Sequence, residues 1–205
     1  MSFVDLVEPT STSRFRFLSD PAGILITMDI DRFWALIADA RAQAADPDDA
    51  EAVADQAKAL LATYPPEEIV AAQRILSGIL ADSYRNPLWA AAYLINGGCS
   101  DDGFDYFRGW LVTQGREVHD RAVADPDSLA EVPAVIAAAP EGYEMEGEDV
   151  LGIAWNAHIK ATGEQMPEGA SSVSYPDLDS DWDFDFDDKT EMARRLPRLT
   201  ALYED

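Results

Sequence analysis

The residues whose types and spacing could do chemistry are gathered between Asn96 and Arg108, in the run NGGCSDDGFDYFR. Asp101, Asp102 and Asp105 could turn carboxylates toward one point, with the Ser100 hydroxyl and Asn96 amide adding oxygens of the kind Mg²⁺ or Ca²⁺ accepts. Asp101 and Asp102 also stand where a following helix favours anions, as caps and opposite the positive end of its dipole. The calcium-loop pattern is not met, because no glutamate follows at the spacing that motif requires. Cys99 is a candidate nucleophile at a helix start, where the positive end lowers a thiol pKa. Nearby carboxylates act the other way, and a small buried filler is the more economical reading. Arg108 and Arg116 could hold an anionic substrate beside these groups.

Few other motifs carry chemistry. His119, between Glu117 and Asp120, reads as a solvated surface residue, and His158, three residues after Trp155, as a histidine at the edge of a core. Neither forms the HxxxH or HExxH pair that marks zinc. Glycine-rich phosphate loops, GxSxG, CxxC and SxxK are all absent, which removes the familiar routes to ATP, NAD and acyl transfer.

Helices must position this stretch. From Asp31, apolar Phe33, Trp34, Ile37 and Ala40 fall at helical spacing, with Asp29 or Asp31 placed as cap. A second helix is predicted over 47–62, with Asp46 as cap and Pro47 at the first helical position. A third spans 66–82 and a fourth 88–95, the latter apolar on every side and so expected in the middle of the fold. Asn96-Gly97-Gly98 stops it, since Gly and Asn tolerate the left-handed conformation that closes a helix. Ser100 or Asp101 then caps a fifth helix over 102–113, and the two helices form an antiparallel hairpin with the candidate site at its tip. Further helices are expected at 116–124, at 128–139 despite Pro133, at 149–162 with Gly163 as cap, and at 189–203, interrupted by Pro197. The fold class is mainly α, a single compact multi-helix bundle around a central antiparallel helical hairpin, with little or no sheet.

Asp177–Asp188, DLDSDWDFDFDD, alternates acids with aromatics. Period two suggests an extended clamp with Trp182, Phe184 and Phe186 inward and Asp181, Asp183, Asp185 and Asp187 in water. The competing reading is an acidic-aromatic strip that recognises a basic partner. Large apolar groups rarely stay exposed together, which favours the clamp.

Acids outnumber Lys and Arg by 39 to 15 among the 205 residues, a formal charge of −24. Such a surface repels nucleic acid and anionic membranes, and it serves either as a solubility device or as a docking face for a basic protein or peptide. A lone cysteine gives no disulfide framework and suits a reducing compartment. With no apolar run of the required ~20 residues and no secretory leader pattern, a cytoplasmic location is expected.

The stretch from Leu88 to Val132, LWAAAYLINGGCSDDGFDYFRGWLVTQGREVHDRAVADPDSLAEV, together with MDIDRFWALI from Met28, resembles the uncharacterised bacterial domain-of-unknown-function 4240 family. The likeness is firmest over 28–132 and extends more loosely to Tyr203. It implies a mostly helical bacterial domain over 28–205, acidic segment included, and supplies no function, cofactor or catalytic residue. Two functions follow from the residues themselves. One is a non-enzymatic acidic module that recognises a protein or peptide, without a cofactor. The alternative is a small metal-dependent or carboxylate-using enzyme at the Asn96–Asp105 turn, where a divalent cation would sit. Residues 1–27, with Pro9 and a Thr/Ser run, read as a flexible extension or a misplaced start, and Met28 as the biological one. Sequencing of the native N-terminus is expected to return Met28 or Asp29; Met1 or Ser2 would overturn the reading.

Overall fold

The computed structural model describes residues 27–171 and 174–203, so the expectations for residues 1–26 lie outside the described residues. Among the described residues there is no strand. The helices are α1 (Ile30–Gln43), α2 (Ala50–Leu61), α3 (Pro66–Asp82), α4 (Asn86–Ile95), α5 (Asp101–Thr113), α6 (Arg116–Ala124), α7 (Pro133–Ala138), α8 (Glu148–Leu151), α9 (Ile153–Thr162), α10 (Lys189–Arg195) and α11 (Pro197–Tyr203). Two 3₁₀ turns, Pro126–Glu131 and Ser180–Trp182, complete the set.

Local chemistry explains where these elements begin and where expectation needs correction. Asp29 caps α1, accepting from the Arg32 backbone N–H at 2.9 Å. Helix α2 starts at Ala50, not Pro47, because Asp46 accepts from the Asp48 N–H at 3.0 Å in a local turn and Asp49 caps instead. Pro133 divides the helix expected over 128–139. It has no N–H to donate and holds Val132 extended, so a 3₁₀ turn precedes it and α7 follows. The helix expected over 149–162 is likewise two, α8 and α9, separated at Gly152. Gly163 ends α9 in the left-handed conformation, at φ 76°.

Burial produces two apolar clusters that share α5. The first joins α1, α2, α3 and α9, with Phe33, Ile37, Leu61, Ile69 and Leu76 fully covered. The second joins α4 to Pro126–Ala138 and to α10 and α11, around Leu88, Ile95, Leu129 and Leu199. Helix α5 sends Val112 into the first cluster and Phe104, Phe107, Trp110 and Leu111 into the second. Helix α4 lies in the second core, as its uniformly apolar surface requires. No helix among the described residues is long and apolar enough to cross a membrane.

The acidic-aromatic segment is the clamp that its alternation predicts. Trp182, Phe184 and Phe186 are half-buried against the second cluster while the intervening aspartates are exposed. The Arg195 guanidinium lies 4.7 Å from the Trp182 ring centre and 4.8 Å from that of Phe184, and the Tyr93 hydroxyl donates to Asp187 at 2.7 Å. The backbone is not uniformly extended, because a 3₁₀ turn occupies Ser180–Trp182.

Helix α11 is fastened from the opposite side. The buried Asp127 carboxylate accepts from the backbone N–H groups of Arg198 at 3.0 Å and Leu199 at 2.9 Å, and from Arg198 Nε at 3.0 Å. These satisfy donors that the first turn of a helix leaves open. Asp125 and Glu131 bind the same guanidinium from exposed positions. Asp127→Ala is expected to lower stability by about 2–4 kcal/mol, because it strips a buried, hydrogen-bonded charge from its partners. Asp125→Ala should cost no more than about 1 kcal/mol. Urea unfolding of the two variants checks the difference.

Candidate functional site

The tip between α4 and α5 takes its shape from two glycines and one clasp. Gly97 and Gly98 carry φ of 66° and 132°, conformations that a side chain would strain, and the Gly98 N–H returns to the Tyr93 carbonyl at 2.8 Å. The Asn96 amide grips the backbone of Met145: its oxygen accepts from the Met145 N–H at 2.9 Å and its nitrogen donates to the Met145 carbonyl at 3.4 Å. Ser100 caps α5, accepting from the Gly103 N–H at 3.1 Å. Trp89 stacks on Phe104 at 4.8 Å and donates its indole N–H to the Cys99 carbonyl at 3.0 Å, tying α4 to the start of α5.

The candidate residues then divide. Asn96 and Ser100 serve the backbone. Asp101 and Asp102 are exposed in the first turn of α5. Cys99 is half-buried, and burial, then Glu146 and Glu144, push its thiol up to about 12, so it stays protonated at neutral pH. Asp105 does not join Asp101 and Asp102, because its carboxylate accepts from Arg108. Arg108 is only 1% exposed, with Nη1 donating to the Leu80 carbonyl. Its guanidinium carbon lies 5.0 Å from the Phe104 ring centre, 5.1 Å from Tyr84 and 5.4 Å from Tyr175. It is sealed from any substrate, and its Nε has no partner among the described residues, a cost of about 1–3 kcal/mol. Arg116 pairs with Asp31 and Asp120. No three His, Cys, Asp or Glu side chains among the described residues come together as a metal would require.

The histidines lie elsewhere. His119 is not on a solvated surface: it is buried, its ring 5.2 Å from that of Trp34, and burial lowers its pKa. His158 is covered, as an edge-of-core residue would be, with Nδ1 3.2 Å from the Glu164 carbonyl oxygen.

What the tip gains instead is an acidic segment that inspection of the Asn96–Asp105 turn alone misses. In Glu144-Met145-Glu146-Gly147-Glu148 the glutamates are exposed while Met145 and Gly147 face inward. This alternation is written in the sequence as EMEGE, between the breaker Pro140-Glu141-Gly142 and α8. Gly147 is driven against α5. Its N–H donates to the Tyr106 carbonyl at 3.0 Å, and a Cβ on Gly109 would stand 2.2 Å from the Gly147 carbonyl oxygen. Burial, then Glu144 and Glu148, raise the pKa of Glu146 from its ordinary value. Glu148 first, then burial and Asp102, raise that of the Tyr106 phenol, which places Asp102 and the glutamates in one field. None of Asp101, Asp102, Glu144, Glu146 or Glu148 forms an ion pair among the described residues. No Lys or Arg occurs between Arg121 and Lys160.

Gly109→Ala is expected to force α5 and Gly147 apart and cost about 1–3 kcal/mol, the usual penalty of overpacking. Gly142→Ala, in open space, should act only through its φ of 66° and cost about 1 kcal/mol. Thermal unfolding of both variants checks the order.

No curated protein and no solved structure matches the chain at a significant level. A family model does match it, over residues 28–160, from Met28, just before the Asp29 cap of α1, through the tip and the acidic segment to α9. This covers well over half of the chain, which therefore belongs to the family described as "Protein of unknown function (DUF4240)".

Proposed function

We propose that the protein is a non-enzymatic binding or regulatory module that recognises a basic protein or peptide through the tip of α4 and α5. The observation that carries this reading is the set of exposed carboxylates there that form no ion pair among the described residues: Asp101, Asp102, Glu144, Glu146 and Glu148, the last of them hydrogen-bonded by the Tyr106 phenol. They are held on a backbone that is itself fixed, by the Asn96 clasp and by the contact of Gly147 with α5. Like charges gathered on a rigid support destabilise one another, and a cationic partner relieves that repulsion. Rigid presentation also spares the partner the entropic cost of ordering the site. The high pKa of the Cys99 thiol and the engagement of Arg108 by Asp105 leave the tip without an activated nucleophile or a free cation for an anionic substrate.

Binding should be linked to pH. Burial, then Glu144 and Glu148, raise the Glu146 pKa from its ordinary value, and a bound cation lowers it, so association releases a proton. Affinity is therefore highest above the raised pKa and falls as pH drops through it. Carbodiimide cross-linking after capture from a native lysate is expected to join a lysine-rich partner to Asp101, Asp102, Glu144, Glu146 or Glu148. Affinity should fall about tenfold in the variant D101N/D102N/E144Q/E146Q and weaken with added salt. A partner held equally well by that variant, or a stoichiometric divalent ion and no basic partner, would overturn the reading.

A further inference from the structure

Beside the tip, α3, α5, α8 and α9 enclose an open cleft of roughly 480 Å³. Gln73 contributes to its wall from α3, Tyr106 from α5, Glu148 and Asp149 from the first turn of α8, and Trp155 and Asn156 from α9. Gln73 is 6% exposed; its Nε2 donates to Ser77 Oγ at 3.2 Å, and its Oε1 has no hydrogen-bond partner among the described residues. A buried acceptor without a donor is rare in folded proteins and calls for an explanation in terms of what it is kept for. Trp155, though large and apolar, is 36% exposed. Gly152 leaves room for the Asn156 amide, whose nitrogen would stand 2.9 Å from a Cβ at that position.

We infer that this cleft seats a guanidinium, the arginine side chain of a basic peptide. The inference rests on the reading of the tip as an acidic recognition surface and assigns the residue type that the neighbouring cleft selects. No Lys or Arg lines the cleft, so an anion would meet Glu148 and Asp149 without compensation. A guanidinium supplies five N–H donors in one plane, enough for the Glu148 and Asp149 carboxylates and, with a turn of the Gln73 amide that brings its covered oxygen into the cleft, for Gln73 as well. Its flat face suits the indole of Trp155, a contact that a compact ammonium makes less well. Gln73 is thus a side chain whose amide nitrogen is satisfied by Ser77 while its oxygen is left for a ligand, which costs the free protein stability.

The test uses a heptapeptide with one central arginine flanked by lysines, and its counterpart with neutral citrulline in place of the arginine, followed by NMR of the full chain. Both peptides are expected to shift backbone amides of residues 101–105 and 144–146, which lie outside the cleft. Only the arginine peptide should move the side-chain amides of Gln73 and Asn156 and the indole N–H of Trp155. Gln73→Leu should keep or raise the melting temperature while weakening the arginine peptide about fivefold, and Glu148→Gln, at an exposed position, should weaken it by about as much. Shifts confined to the tip, or equal cleft shifts from the citrulline peptide, would overturn the cleft inference and leave the tip reading standing. Cleft shifts without tip shifts would do the reverse to the choice of site, and no shift at either place overturns both. A Gln73→Leu protein that loses stability and binds the arginine peptide as well as the parent would make the glutamine a packing residue and end the inference.

Discussion

The arrangement depends on two glycines meeting backbone to backbone. Gly109 on α5 and Gly147 before α8 approach so closely that a single Cβ on either side collides with main-chain atoms: on Gly109 with the Gly147 carbonyl oxygen at 2.2 Å, on Gly147 with the Trp110 nitrogen at 2.8 Å. Such a collision cannot be relieved by turning a side chain. The contact sets the acidic segment 144–148 beside the start of α5. The segment 144–148 is pinned at one end by the Asn96 amide and at the other by the bond from Gly147 to the Tyr106 carbonyl. With Met145 and Gly147 held inward, the residues before, between and after them, Glu144, Glu146 and Glu148, face outward.

Arg108 supplies the second constraint. A guanidinium cannot shed its proton, so burying it requires acceptors and π-faces instead of neutralisation. The Leu80 carbonyl, the Asp105 carboxylate and the rings of Tyr84, Phe104 and Tyr175 meet that need from three separate parts of the chain. The same arrangement takes Asp105 out of the acidic group at the tip. The carboxylate closest in sequence to looking catalytic is thereby occupied in holding α5 to the end of α3 and to the segment carrying Tyr175.

Much of this was legible in the residues. The bounds of α3 and α6 follow from Pro66 and from the Gly115 and Pro126 breakers, and the clamp follows from the alternation of aspartate with Trp182, Phe184 and Phe186. Errors arose where two local rules competed. Asp46 satisfies a turn before it can cap a helix, and Pro133 overrides the apolar periodicity around it. The site was half legible, because a turn displays its own aspartates but not what a distant segment adds to them. Glu144, Glu146 and Glu148 belong to the tip through the Asn96–Met145 clasp and the Gly109–Gly147 contact, neither of which leaves a hydrophobic pattern to read. The burial of Arg108 and His119 was illegible for a related reason. Each is decided by rings or helices far along the chain, while the neighbouring acids in sequence advertise solvent.

The placement of α4 also bears on how the chain is made. Its apolar surface, from Leu88 to Ile95, is covered by Pro126–Glu131, by α11 and by the aromatic clamp. Those coverings are synthesised after it, the last of them about a hundred residues later, so an uncovered hydrophobic helix accompanies the growing chain through much of its emergence. The first cluster does not wait so long, since α1, α2 and α3 are neighbours in sequence. A ribosome that stalls before Trp182 would therefore release a protein with one half packed and the other half adhesive.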